Sequence, residues 1–365
     1  MAVDPVRVYA FETLTGRPLG RVPFTGFSRS GTINAAGQMQ VEVAWSQTAV
    51  RMDLWHLVSN WSVCLAAVRG DVVVHAGPVV QKKWDPVGLK ATFTCGGGWT
   101  LLSKRNAVDV LLATEWTDGD VLIDEDHPAA QWALTCTGSL RNIARQLVAS
   151  AKAWQDLPID LPTAESGGNT RQWLITDAKV TSEALTDLTR VEGGPEIRFD
   201  PYRDEQGYFR WRMVCGTPEI INQTHRWNTS VPGERVQFVD LDDDGSDMVT
   251  QLVEIGGKQD DKVLVARATV DVPGVPLLQE IDTSHSTVSE LSTLQAWARE
   301  GVGRGAVSQE TPQFKVGFEW GVQVGDWADV RIQDVALGDL VLPVKVVGVS
   351  SDLTEWETIS TRMRY

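Results

Sequence analysis

Positive charge is what this 365-residue chain has least of: 33 Lys and Arg stand against 48 Asp and Glu, a formal net charge of −15. A nucleic-acid reader needs a basic stripe to neutralise phosphates, and a membrane-surface protein needs the same sign, so both classes are disfavoured. Cysteine is also scarce. Cys64, Cys95, Cys136 and Cys215 form no C-x-x-C, so neither a zinc ribbon nor a thioredoxin-type pair is signalled. Reduced, buried thiols acting as small core hydrophobes are expected.

Long apolar runs are missing too. The run Val110 to Ala113 is closed by Asp109 and Glu115, far short of the ~18 residues that span a bilayer. Met1 to Glu12 carries Asp4 and Arg7 and has no apolar h-region, so no signal peptide is expected.

Catalytic signatures are absent as well. The five histidines, His56, His75, His127, His225 and His285, show no H-E-x-x-H or H-x₃-H spacing. There is no G-x-S-x-G elbow and no Walker A. Gly301-Val302-Gly303-Arg304-Gly305 follows a helix and does not open one, the reverse of a phosphate cradle. The chain is expected to have no catalytic residue and no cofactor, and not to be an enzyme.

What is present is a chain too long for one ordinary core, which argues for two or three domains. At 42% hydrophobic and 22% charged it is globular. The first part reads as β-rich. Met39, Val41, Val43 and Trp45 alternate with Gln40, Glu42 and Ala44, the period of a half-buried strand. Further strands are predicted at Arg7 to Phe11, Phe27 to Ile33, Ser62 to Val68, Val72 to His75, Val79 to Lys83 and Lys90 to Cys95, with helices over Thr48 to Val58 and Trp99 to Arg105.

In the middle, Leu140, Ile143, Ala144, Leu147 and Val148 make one apolar helix face behind an N-capping Ser139. A loop follows over Leu157 to Thr170, then a helix from Ser182 to Val191 and strands at Glu196 to Phe199 and Tyr208 to Val214. The last third returns to strands at Arg235 to Val239, Met248 to Ile255, Val263 to Val270, Trp327 to Ile332, Leu340 to Val349 and Trp356 to Met363. One helix interrupts them, announced by the capping box Thr287-x-x-Glu290. The resulting division is 1–136 (β), 137–222 (α/β) and 223–365 (β with one helix), a β-rich α+β chain.

Three clusters could carry chemistry. Asp240-Leu241-Asp242-Asp243-Asp244-Gly245 copies the D-x-D-x-D-G start of an EF-hand loop. Asp240, Asp242 and Asp244 are therefore a weak calcium candidate. The pattern then fails, with Gln251 where the bidentate Glu belongs and Asp247 at the apolar position, and an acidic turn accounts for it more simply. A second acidic run, Asp118, Asp120, Asp124, Glu125, Asp126 and His127, offers paired carboxylates of the kind glycosidases use, though a solvated loop is the ordinary reading. Trp84, Trp99, Trp116 and Trp132, among 15 Trp in all, could floor a sugar site or fill cores and contacts.

The order of segments carries a resemblance that no single motif does. Thr15-Gly16-Arg17-Pro18-Leu19-Gly20-Arg21-Val22-Pro23-Phe24, then Phe27-Ser28-Arg29-Ser30 and Ile33-Asn34-Ala35-Ala36-Gly37, resemble the opening of minor tail proteins of actinobacterial siphophages, relatives of the tail-hub or baseplate-hub proteins. Gly70 to Gly77, Thr100 to Arg105, Ala184 to Leu188, Gly194 to Phe199, Gly325-Asp326 and Val346 to Val349 continue the likeness in order.

The resemblance implies two tail-tube-like β-barrel or sandwich domains with an α/β insertion. It also implies a homotrimeric structural hub at the phage tail tip, assembled in the host cytoplasm and carried in the virion. Its expected partners are a distal tail protein, the tape-measure protein and a tail fibre or receptor-binding protein, with no specific nucleic-acid binding and no membrane insertion. An acidic lumen would repel DNA phosphates and favour their passage, which requires 118–126 or 240–247 to face the channel. The alternatives are a carbohydrate-binding or cell-wall-hydrolysing tail component, and the hub of a contractile injection or secretion system.

Overall fold

A strand buried at every position needs cover on both faces, and Val63–Arg69, apolar up to its closing Arg69, is that strand here. Leu65 and Ala67 point into a core shared with Val8, Val22, Phe27, Met39, Val41, Val79 and Phe93. Cys64, Ala66 and Val68 point the other way, into a second core built with helix Leu140–Trp154 and helix Thr181–Arg190. The computed structural model describes residues 5–114, 123–126, 128–259, 262–283, 288 and 290–364.

Thirteen strands make one continuous sheet. From one end it runs through Val236–Asp244, Gln309–Gly317, Trp356–Met363 and Gly338–Ser351, then crosses to Gly26–Thr32, Gln38–Ala44, Lys90–Cys95 and Val72–Asp85, and ends through Val63–Arg69, Val6–Glu12 and Pro18–Val22. Trp327–Asp334 pairs with Gly338–Ser351, and Thr224–Asn228 lies parallel to it. The crossing is antiparallel, with Gly348 opposite Thr32 and Ser351 opposite Arg29. The two β-rich ends of the chain thus share backbone hydrogen bonds, and the C-terminal strands wrap their own core around Trp227, Phe314, Val330, Val344 and Ile359.

The middle block covers the outer face of the first core. Ser139 caps its long helix, accepting from Asn142 N at 3.1 Å. Ile143, Ala144, Leu147 and Val148 of the stripe that the sequence predicts are buried, with Ala151 added to them and Leu140 half-buried. Trp211, from the sheet of Ile197–Arg203, Phe209–Cys215 and Ile159–Asp160, is 1% exposed and donates Nε1 to Ala76 O at 3.1 Å. Truncating such a residue costs roughly 3–5 kcal/mol, so Trp211 is a strong anchor between the block and the large sheet, beside the Phe209–Phe11 stack at 4.7 Å.

Several local expectations change. The helix expected over Thr48 to Val58 is two short ones, Gln47–Arg51 and Leu54–Leu57, broken where Asp53 takes a φ of 46°. The two expected strands at Val72 to His75 and Val79 to Lys83 are one 14-residue strand. Strands Pro18–Val22, Leu134–Gly138, Thr224–Asn228, Gln279–Asp282 and Gln309–Gly317 escape the sequence pattern, and the loop expected over Leu157 to Thr170 holds the strand Ile159–Asp160 and the start of Asn169–Trp173.

The candidates Met248 to Ile255 and Val263 to Val270 are strands, Gln251–Gln259 and Lys262–Thr269, but they stand outside the large sheet. With Gln279–Asp282 they form a three-stranded sheet under helix Leu291–Gly305. That helix starts three residues later than a box at Thr287 would place it, with Glu290 as N-cap; Thr287 itself lies outside the described residues. Gly301 serves close packing, since a Cβ there would come within 2.3 Å of Leu252 Cδ2.

Candidate functional site

Several of the polar groups that the fold buries lie at the seam where the two β cores and the middle block meet. Glu196, which opens the strand Ile197–Arg203, is 6% exposed. Its Oε2 accepts from Lys345 Nζ at 2.6 Å and from Ile220 N at 2.7 Å, and its Oε1 accepts from Arg362 Nη2 at 2.8 Å. Glu219 completes a square, 3.2 Å from Lys345 and 3.1 Å from Arg362. Two carboxylates of the middle block thereby hold two cations of the C-terminal strands. Buried ions survive only when paired and hydrogen-bonded in this way.

A second pair spans the crossing itself. Arg29, from the first β core, binds the buried Glu357 of the last strand and donates Nε to Ser351 Oγ at 2.9 Å. Burial pushes the Glu357 carboxyl up, against the pull of Arg29 and Arg69. Arg69 lies with its guanidinium 4.0 Å from the Phe318 ring centre, a cation–π contact across the same seam.

Asp326 is fully buried in the C-terminal core and accepts from His225 Nε2 at 2.9 Å, Gln323 N at 2.9 Å, Asn222 Nδ2 at 3.0 Å and Gln223 Nε2 at 3.2 Å. Burial alone would raise its carboxyl; these donors outweigh it, and the pKa falls below the ordinary value. A His–Asp pair is one element of a hydrolytic triad. Here, however, His225 commits Nε2 to Asp326 and stacks on Trp227 at 5.1 Å, the arrangement of a packed core histidine.

Between the parts lies a cavity of about 330 Å³ lined by Arg29, His75, Trp99, Arg198, Phe199 and Phe318, among others. Its charged walls are internally neutralised, Arg29 by Glu357 and Arg198 by Asp200. His75 is buried with Nε2 2.8 Å from Gly96 O, so that nitrogen carries the proton, and burial pulls its pKa down to about 4. The cavity presents apolar surface and satisfied charges, with no nucleophile beside a base.

Of the residues singled out from the sequence as site candidates, Trp99 lines this cavity, and the other described Trp and acidic candidates do not. Asp240, Asp242 and Asp244 sit in the strand Val236–Asp244. Alternate residues of a strand share a face but stand almost 7 Å apart, whereas an EF-hand needs a loop that folds its oxygens onto one point. Among the described residues no three His, Cys, Asp or Glu side chains gather as a metal site. Asp244 Oδ1 instead accepts from Ser246 N at 2.8 Å, closing a turn.

Of the second acidic run, Asp118, Asp120 and His127 lie outside the described residues, as do Trp116 and His285. Asp124, Glu125 and Asp126 are exposed. The Trp set also disperses. Trp99 is 6% exposed and meets Phe199 edge-on, Trp132 is half-buried elsewhere, and Trp84 stands half-exposed against Trp45 at 5.2 Å. The four cysteines are free, and burial pushes Cys64, Cys136 and Cys215 up to about 12.

Sequence reasoning missed Glu196, Glu219, Lys345 and Arg362. Lys345 interrupts the apolar run Val341 to Val349, and a lone cation inside a buried strand was the available signal.

No protein-family model and no curated protein matches the chain by sequence. Solved structures do match by shape. The tail protein of Neisseria meningitidis MC58 superposes with a TM-score of 0.53 at 12% identity, covering 99% of this chain and 96% of that one. The 43 kDa tail protein of prophage MuSo2 from Shewanella oneidensis superposes with a TM-score of 0.56 at 11% identity, covering 99% and 97%. The chain therefore has the fold of these tail proteins from end to end: a β-rich α+β chain with several sheets and few helices.

Proposed function

We propose that this chain is a structural protein of a bacteriophage tail, the hub at the tail tip that closes the tube. The observation that carries the reading is the match in fold over 99% of the chain to two tail proteins. The seam supports it. A hub transmits force between components and has to be rigid, and here the two β-rich ends of the chain share one sheet while Glu196 and Glu219 pair with Lys345 and Arg362.

In this reading 1–136 and 223–365 are the two tube-like units and 137–222 is the insertion. Three copies form the hub, between a distal tail protein and tape-measure protein on one side and a fibre or receptor-binding protein on the other. No helix among the described residues is long and apolar enough to cross a membrane.

Immunogold labelling of purified phage tests the reading. The label is expected at the distal end of the tail, with the chain present in virion mass spectra. A chain made during infection but absent from purified particles would overturn it.

A further inference from the structure

The thirteen-stranded sheet has three open edges, at Thr224–Asn228, Val236–Asp244 and Pro18–Val22, and the last two carry opposite charge. At one end Val236–Asp244 bonds only to Gln309–Gly317 among the described residues. It exposes Asp240, Asp242, Asp243 and Asp244 and contains no Lys or Arg. Its neighbour deepens the imbalance, since the register sets Asp243 directly opposite Glu310. Like charges facing across a ladder are destabilising, and among the described residues no Lys or Arg of this chain pairs with either.

At the other end Pro18–Val22 bonds only to Val6–Glu12 among the described residues and contains no acid. Arg21 is exposed and stands opposite Tyr9. Arg7, two residues before Tyr9, shares that face and is exposed as well. Arg203 adds a third guanidinium, 5.3 Å from the Tyr9 ring centre.

An unpaired edge is a template for another strand. The acidic edge cannot accept its own copy, because carboxylates would then face carboxylates. Opposite signs on the two ends favour a head-to-tail contact, and heterologous contacts of that kind close into rings when their rotation allows.

We propose that the Asp240–Asp244 edge of one copy docks on the Pro18–Val22 edge of a second copy, so that the sheet continues from chain to chain. This deepens the trimer reading above and rests on it. It also gives the Asp243–Glu310 juxtaposition a use, because the arginines that offset it come from the neighbour.

Charge reversal at exposed positions tests the proposal without disturbing a core. Two variants are needed, Asp242→Lys with Asp243→Lys, and Arg7→Glu with Arg21→Glu, together with a chain carrying all four changes. Circular dichroism verifies folding, and light scattering over a concentration series reads assembly. Each two-site variant is expected to raise the half-assembly concentration roughly tenfold or more, and the combined chain to return it toward wild type.

A wild type that stays monomeric throughout, an oligomer that neither variant weakens, or a combined chain without recovery would each overturn the interface. A trimer indifferent to the reversals would do so while leaving the hub reading intact. Unlabelled tails beside a charge-sensitive oligomer would sink the hub reading and keep the interface.

Discussion

Lys345 Nζ lies 2.6 Å from Glu196 Oε2, both side chains are buried, and 149 residues separate them in sequence. The pair locks the middle block onto the C-terminal strands. Replacing Glu196 with Ala leaves Lys345 buried with only the half-exposed Glu219 beside it. Breaking a buried pair costs about 3–5 kcal/mol. Denaturant unfolding of Glu196→Ala is therefore expected to show a midpoint well below wild type, and an unchanged midpoint would mean the seam is not where rigidity resides.

Glu254 faces Asp282 in register, is 3% exposed, and leaves Oε2 without a hydrogen-bond partner. Burial first, then Asp282 and Glu280, raises its pKa to about 7. The folded chain holds this proton more tightly than the unfolded chain. The stabilising contribution is therefore complete below the ordinary glutamate range and is lost as pH rises through about 7. Glu254→Gln is expected to unfold at a higher temperature than wild type above pH 7, with the gap closing toward pH 5. A constant gap across that window would contradict the assignment.

Asp326 has the opposite sign. Its depressed pKa means that its contribution is present above the ordinary aspartate value and disappears as pH falls through the lowered one. Asp326→Asn is expected to lose about 1.5–3 kcal/mol at neutral pH, the worth of hydrogen bonds to a charged group. It should also show a shallower acid limb in thermal melts against pH.

A Cβ built on Gly77 would stand 1.7 Å from Gly96 O, a backbone atom that cannot swing aside. Gly77→Ala must push apart the strand Val72–Asp85 and the turn before helix Gly98–Leu102. A loss of about 1–3 kcal/mol or more is expected, with the larger part in the unfolding rate. Wild-type stability in this variant would mean that the strand and the turn can part at no cost to the fold.

Burial and a raised pKa make all four thiols poor nucleophiles. Ellman titration of the native protein is expected to proceed slowly, and to reach four thiols per chain only in denaturant. Fast reaction of one thiol without denaturant would point to Cys215, which alone of the four is half-buried.

The elements legible in the sequence are those whose pattern is local. The helix Leu140–Trp154 was written by the spacing of Leu140, Ile143, Ala144, Leu147 and Val148 and by Ser139 before them. The strand Gln38–Ala44 was written by its alternation. Pro18–Val22 was not, because a five-residue edge strand holding Pro and Gly has too few buried positions to show a period. Thr48 to Val58 read as one helix because the left-handed turn at Asp53 leaves no mark on apolar spacing.

By itself the sequence determined the acidic balance, the lack of catalytic motifs, the β, α/β, β order and the faces of the long elements, since these follow from composition and from periods of two and 3.6 residues. Only the tertiary structure decided that Arg29 meets Ser351 across 322 residues, and that Gln251–Gln259 leaves the large sheet for a small one of its own. It also decided that Glu196 and Lys345 are buried together, and that the carboxylates of Asp240, Asp242 and Asp244 line an edge. Strand partners are selected by which surfaces exclude water from each other once the whole chain is compact. That selection is a property of pairs far apart in sequence, which no local pattern records.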